Sequence, residues 1–141
     1  MNAVPSPLFE PVLWEGAGFK ILDELLLPEK ITYIEVSDVG QAINAVGEMK
    51  TRAFGQVLTF LYSGALLAQS HPNQDANALR RRLAEMTRQF CTARPTFDFR
   101  GLGSFSEQWF SELPSGSDPR ESIAKQAREF GQQIVRGRVA R

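Results

Sequence analysis

Residues 48–68 read Glu48-Met-Lys-Thr-Arg52-Ala-Phe-Gly55-Gln-Val-Leu-Thr-Phe-Leu-Tyr62-Ser-Gly-Ala-Leu-Leu-Ala68, and this stretch decides the fold. Its first part is polar and closes in a small-residue turn around Arg52, Ala53 and Gly55. Its second part is apolar on nearly every side. A helix that is hydrophobic all round has to be covered on every face, so residues 54–69 predict the central helix of a helical domain. The turn before it sets Arg52 at or near a helix N-terminus, where unpaired N–H groups and the macrodipole favour an anion. That is the one place where local chemistry alone suggests a site.

The flanking segments supply the neighbours that such a helix needs. On the N-terminal side, the apolar runs 12–14 and 19–22 enclose Glu15-Gly-Ala-Gly18 and predict a β-hairpin. A connector over residues 23–30, rich in leucine and closed by Pro28, leads to the β-branched and aromatic Ile31-Thr-Tyr-Ile-Glu-Val36, a third strand. Ser37 and Asp38 can cap a helix whose apolar face is Val39, Ala42, Ile43 and Val46, reaching about residue 49. Residues 1–10, with Pro5 and Pro7, are expected as an extended arm.

On the C-terminal side, Asn73 or Asp75 caps a helix with Leu79, Leu83, Met86 and Phe90 on one stripe, stopped before Pro95. Residues 96–104 read as a loop in which Phe97, Phe99 and Leu102 alternate with Asp98, Arg100 and two glycines. Phe105, Trp109 and Leu113 predict a short helix. The last helix starts at Ser117 with Asp118 and Glu121 in its first turn. It carries Ile123, Ala127, Phe130 and Ile134 inward, and Arg136, Arg138 and Arg141 sit at its C-terminal end. The fold class is therefore α+β, a small N-terminal antiparallel sheet followed by about five helices. It is expected as one domain over residues 1–141, with a β subdomain at 12–36 and a helical subdomain at 37–141.

Composition narrows the partners. Sixteen basic residues balance sixteen acidic ones, which favours neither nucleic acid nor an anionic membrane, and Arg80-Arg-Arg82 reads as a solvated helix face. The single Cys91 excludes an internal disulfide and suits a reducing compartment, so a cytoplasmic protein is expected. No apolar run reaches the roughly 20 residues of a membrane span. One histidine and one cysteine cannot supply a usual metal ligand set, and no cofactor motif is visible.

Several ordered motifs resemble a known family. Ile21-Leu-Asp23, Leu27-Pro-Glu-Lys30, Val36-Ser-Asp-Val39, Met49-Lys-Thr-Arg52 and Thr92-Ala-Arg-Pro-Thr96 are similar to the N-terminal domain of methylthioribose-1-phosphate isomerase. That family includes ribose-1,5-bisphosphate isomerase and the regulatory subunits of the translation-initiation guanine-exchange factor. The resemblance implies that Arg52 and Arg94 face a substrate phosphate. It also implies that the isomerisation belongs to a second, Rossmann-like domain, which is not expected within these 141 residues.

Where the family's phosphate turn is small, this chain has Phe54, and after Arg-Pro-Thr it has Phe97, Asp98, Phe99 and Arg100. Phe54, Phe97, Phe99 and Trp109 are thus candidates for a pocket or an interface, with core packing as the alternative. Asp98 and Glu107 are weak candidates for acid–base catalysis. Three functions stay open. One is a diverged N-domain-like protein that binds an anionic small molecule or a protein partner. The second is a small enzyme of new specificity moving protons on an anionic substrate. The third is half of a split sugar-phosphate isomerase, whose partner chain supplies the Rossmann-like domain. A homodimer is a further option.

Overall fold

The computed structural model of the chain describes residues 7–139. Residues 1–6, Arg141 and the side chain of Arg138, for which an arm and C-terminal cations were expected, lie outside the described residues. Pro7–Phe9 form a short 3-10 turn rather than extended chain.

Strands β1 (Val12–Trp14), β2 (Phe19–Leu22) and β3 (Tyr33–Val36) form one antiparallel sheet in the order β1-β2-β3. The register pairs Val12 with Ile21 and Ile21 with Ile34. Phe19 and Ile21 point inward, while Lys20 between them lies over the Tyr33 ring and pairs with Glu15 at 3.4 Å. This is the period-2 alternation of a sheet with one wet face. The third strand is shorter than expected, because Ile31 and Thr32 stay outside the ladder and Ile31 is 65% exposed.

Five helices follow: α1 (Val39–Gly47), α2 (Ala53–Gln69), α3 (Ala76–Ala93), α4 (Phe99–Ser111) and α5 (Pro119–Val139). Asp38 caps α1 in a reciprocal capping box with Gln41, and Asp75 caps α3. α2 is the centre. It packs against α5, α1, α3 and the sheet, and it is buried without interruption from Gly55 to Ala68 except at Val57. Tyr62 of α2 meets Trp14 and Phe19 of the sheet at ring distances of 5.7 and 6.0 Å. The strands and helices share one hydrophobic cluster.

α4 departs from the sequence reading. Residues 99–104, expected as loop, form its first turns, with Asp98 Oδ1 accepting the Gly101 N–H at 2.9 Å. Phe99 is fully buried among Phe60, Phe90 and Phe97, so burial of one ring outweighs the poor helix propensity of Gly101 and Gly103. Leu113 falls beyond the end of α4. The last helix begins at Pro119 rather than Ser117. Asp118 accepts the Arg120 N–H at 3.0 Å, and a proline without a free N–H suits the first helical position. Among the described residues no helix is long and apolar enough to cross a membrane.

Candidate functional site

α2 and α3 run antiparallel, since Phe60 meets Phe90 while Gly64, one turn on, faces Leu83 and Met86. The start of α2 and the end of α3 therefore lie at the same end of the bundle. Arg52 sits eight residues before Phe60 and Arg94 four residues after Phe90. At the α-helical rise those positions differ by only about 6 Å along the axis. The two arginines singled out in the sequence thus lie at the same end of the bundle. Arg52 is the residue before the first turn of α2, exposed, with no side-chain cap bond. Arg94 closes α3, and its Nε is buried without a hydrogen-bond partner. Among the described residues neither guanidinium forms an ion pair.

The turn between α1 and α2 is held from the sheet side. The Glu24 N–H donates to the Lys50 carbonyl at 2.7 Å, and Lys50 Nζ stands 3.8 Å from Asp23 Oδ2. Met49 takes a left-handed φ of 58°, the sharpest point of the turn. The Glu24 carboxylate then reaches the N-terminus of α2. Its Oε2 accepts from the fully buried Thr51 hydroxyl and from the Arg52 N–H, both at 2.7 Å. An internal carboxylate thus satisfies part of the helix end that the sequence offered to an external anion. Sequence reasoning missed Glu24, because nothing local marks a cap that arrives from 28 residues away. Gln56 completes the corner: its Nε2 donates to the Thr51 carbonyl at 2.9 Å, and its buried Oε1 has no partner.

The remaining candidates do not converge there as a set. Phe54 is half-buried against the core at the start of α2, and the Phe97 ring meets Phe99 at a tilt, with centroids 4.7 Å apart, close to Arg94. Phe99 itself belongs to the core with no exposure. Trp109 is 7% exposed and packs edge-on against Phe105, well along α4 from the arginines. Asp98 is the cap of α4. Glu107 is paired with Arg80, which lies fourteen residues before Arg94, about 21 Å along α3 at the helical rise. A carboxylate so placed cannot reach a group held at Arg94. Among the described residues no three His, Cys, Asp or Glu side chains come together to hold a metal ion.

A depression of about 330 Å³ lies elsewhere, between α3 and α4. Leu83, Ala84 and Cys91 line it on α3, and Arg100, Ser104 and Glu107 on α4.

No protein-family model matches the sequence. The chain is 33% identical over 86 residues to the methylthioribose-1-phosphate isomerase of Thioalkalivibrio sulfidiphilus, a match that covers 60% of this chain and 24% of the relative. The chain therefore spans about a quarter of that protein's length. Among solved structures, the fold is similar to 5-methylthioribose 1-phosphate isomerase from Pyrococcus horikoshii OT3, with a TM-score of 0.72 at 16% identity, over 95% of this chain and 39% of that one. It is also similar to the translation initiation factor eIF-2B, subunit delta, from A. fulgidus, with a TM-score of 0.68 at 22% identity, over 88% and 36% of the two chains. Motifs, sequence similarity and fold agree: this chain resembles the N-terminal domain of the methylthioribose-1-phosphate isomerase family.

Proposed function

We propose that the chain is a binding module of the isomerase fold whose Arg52–Arg94 corner receives the phosphate of a small molecule, without performing the isomerisation by itself. The observation that carries this reading is the pair of guanidinium groups at one end of the bundle, neither in an ion pair among the described residues, with Arg94 Nε buried and unpartnered. A buried donor without an acceptor is costly, and a phosphate oxygen matches guanidinium geometry. The named substrate of the relatives, methylthioribose-1-phosphate, is a sugar phosphate ester. Glu24 tunes the corner, since its carboxylate already takes the Arg52 N–H and leaves the guanidinium groups to the ligand. The enzyme of new specificity is the weaker reading, because Asp98 is committed to capping α4 and Glu107 to Arg80.

Thermal melting against ribose 5-phosphate, inorganic phosphate and unphosphorylated ribose tests the proposal. At 100 times the dissociation constant a ligand stabilises by about 2.7 kcal/mol, a shift of several degrees. The shift is expected with the phosphates, not with ribose, and is lost in an Arg52→Ala/Arg94→Ala variant. No shift with either phosphate refutes the site.

A second reading has its own observation. Leu25, Leu26, Ile31 and Met49 are all exposed on the β2–β3 connector and the turn it grips. Large apolar side chains grouped this way mark a surface that another protein covers. In that reading the chain is one half of a two-part sugar-phosphate isomerase, with a partner chain supplying the Rossmann-like part. Mixing the chain with such a partner should restore isomerisation of a sugar 1-phosphate, and Leu25→Asp/Ile31→Asp should prevent it. Self-association lost in the same variant would identify a homodimer instead.

A further inference from the structure

The α3–α4 groove has features that the Arg52–Arg94 corner does not explain. The two helices are antiparallel, Phe90 facing Phe99 and Thr87 facing Gly103. A Cβ on Gly103 would lie 2.6 Å from Thr87 Cγ2, so this glycine sets how closely α4 lies on α3. On α3 the floor is made by Leu83, Ala84, Thr87 and Cys91, the Thr87 hydroxyl being taken up by the Leu83 carbonyl at 2.9 Å, and Arg88 also lines the groove. Leu83 to Cys91 is eight residues, so the floor is about 12 Å long at the helical rise.

The charges along the groove do not cancel. Glu107 is paired with Arg80 and closes the end near Leu83, and Arg88 is paired with Glu85. Arg100, at the Cys91 end, forms no ion pair among the described residues. Ser104 stands one turn beyond Arg100 on the same face of α4 and lines the groove with it. A guanidinium and a hydroxyl four residues apart present donors to one carboxylate. One uncompensated positive charge at the head of an apolar trough of about 330 Å³ fits an amphipathic monoanion.

We propose that the groove between α3 and α4 binds a monocarboxylate with an unbranched apolar tail. The carboxylate takes Arg100 and Ser104, and the tail lies over Ala84 and Leu83 and stops at the Arg80–Glu107 pair.

Calorimetric titration with octanoate, beside neutral octanamide, tests this on the whole chain. A charge-assisted carboxylate–guanidinium contact is expected to make octanoate bind about tenfold or more tightly than octanamide. Arg100→Gln should remove that advantage, and Ser104→Ala should reduce it. Arg100 is on the surface, and a circular-dichroism melt like that of the parent confirms that the variant is folded. Cys91 is the only cysteine in the chain, so its alkylation by N-ethylmaleimide reports the location directly. Octanoate should slow alkylation in proportion to occupancy, and should do so equally in the Arg52→Ala/Arg94→Ala variant, which separates this groove from the phosphate corner. Absence of octanoate binding at millimolar concentration, equal binding of octanamide, or binding that leaves Cys91 as reactive as before would each overturn the proposal.

Discussion

Removing the Glu24 carboxylate tests the least local connection in the fold. Its Oε2 holds the Thr51 hydroxyl and the Arg52 N–H at 2.7 Å each, and so fixes the sheet-side connector to the first turn of α2. The two bonds differ in what their loss would cost. The Arg52 N–H is exposed and can turn to water. The Thr51 side chain is fully buried, so its hydroxyl would keep its desolvation penalty without an acceptor. Hydrogen bonds to charged groups contribute about 1.5–3 kcal/mol, and an orphaned buried hydroxyl costs about 1–3. Glu24→Ala should therefore destabilise by about 2–3 kcal/mol, or a midpoint lower by roughly 6–10 °C for a domain of this size. Glu24→Gln keeps an amide oxygen but no charge, and should lose about half as much.

Thr51→Val supplies the decisive control. With the hydroxyl already gone, removing Glu24 orphans nothing in the core, and replacing both partners approaches neutrality. The double variant should melt at least about 1 kcal/mol above the sum of the single effects. Circular-dichroism melts of the four proteins give the cycle. A Glu24→Ala midpoint within a degree of the parent, or strictly additive effects, would refute the account of this corner. Glu24→Ala also strips a negative charge from beside Arg52. Phosphate affinity at the proposed site should therefore rise, by less than the roughly fivefold that a pair in direct contact in water would give.

Other expected outcomes rest on the α2–α5 seam and the last helix. A Cβ on Gly131 would stand 2.8 Å from Tyr62 Cε1 in a ring that is 1% exposed. Gly131→Ala should thus destabilise, the overpacking of about 1–3 kcal/mol exceeding the gain of about 1 kcal/mol in helix propensity. Gly137→Ala meets nothing within 4 Å and should stabilise by up to about 1 kcal/mol, so equal effects in denaturant melts would contradict the packing argument. Burial, with the Glu10 charge second, raises the Tyr62 hydroxyl from 10.0 to about 12. Folding favours the protonated phenol, so its contribution is complete below pH 10 and is lost as the pH climbs towards 12. Tyr62→Phe should flatten that alkaline fall. The side-chain hydrogen bond from Arg120 holds the Asp118 carboxyl below its ordinary value of 3.8. The contribution is present above that value and is lost as the pH falls through the lowered one. Asp118→Asn should make stability less steep in acid, and an unchanged acid profile would count against the pairing.

Much of the architecture was legible without coordinates because it rests on local periodicity. The hairpin strands Val12–Trp14 and Phe19–Leu22, the cap at Asp38 and the all-round apolar residues of α2 each carry their signal within a few neighbouring positions. The Arg52 and Arg94 motifs were legible too, through their resemblance to the isomerase N-domain. Their placement at the same end of the bundle follows once α2 and α3 are antiparallel.

Tertiary structure decided what depends on distant partners. Residues 99–104 look like a loop because two glycines interrupt them, yet Phe99 finds Phe60 and Phe90 and the burial outweighs the propensity. The aromatic residues grouped as one candidate site separate, Phe99 into the core and Trp109 along α4, because sequence spacing does not say which helix a ring will face. The cap that Glu24 places on α2 and the groove framed by Leu83, Cys91 and Arg100 are likewise products of packing. Periodicity within one element is set by backbone geometry and can be read along the chain. A bond or cavity between elements depends on how their faces are brought together, and that is determined only when the whole core closes.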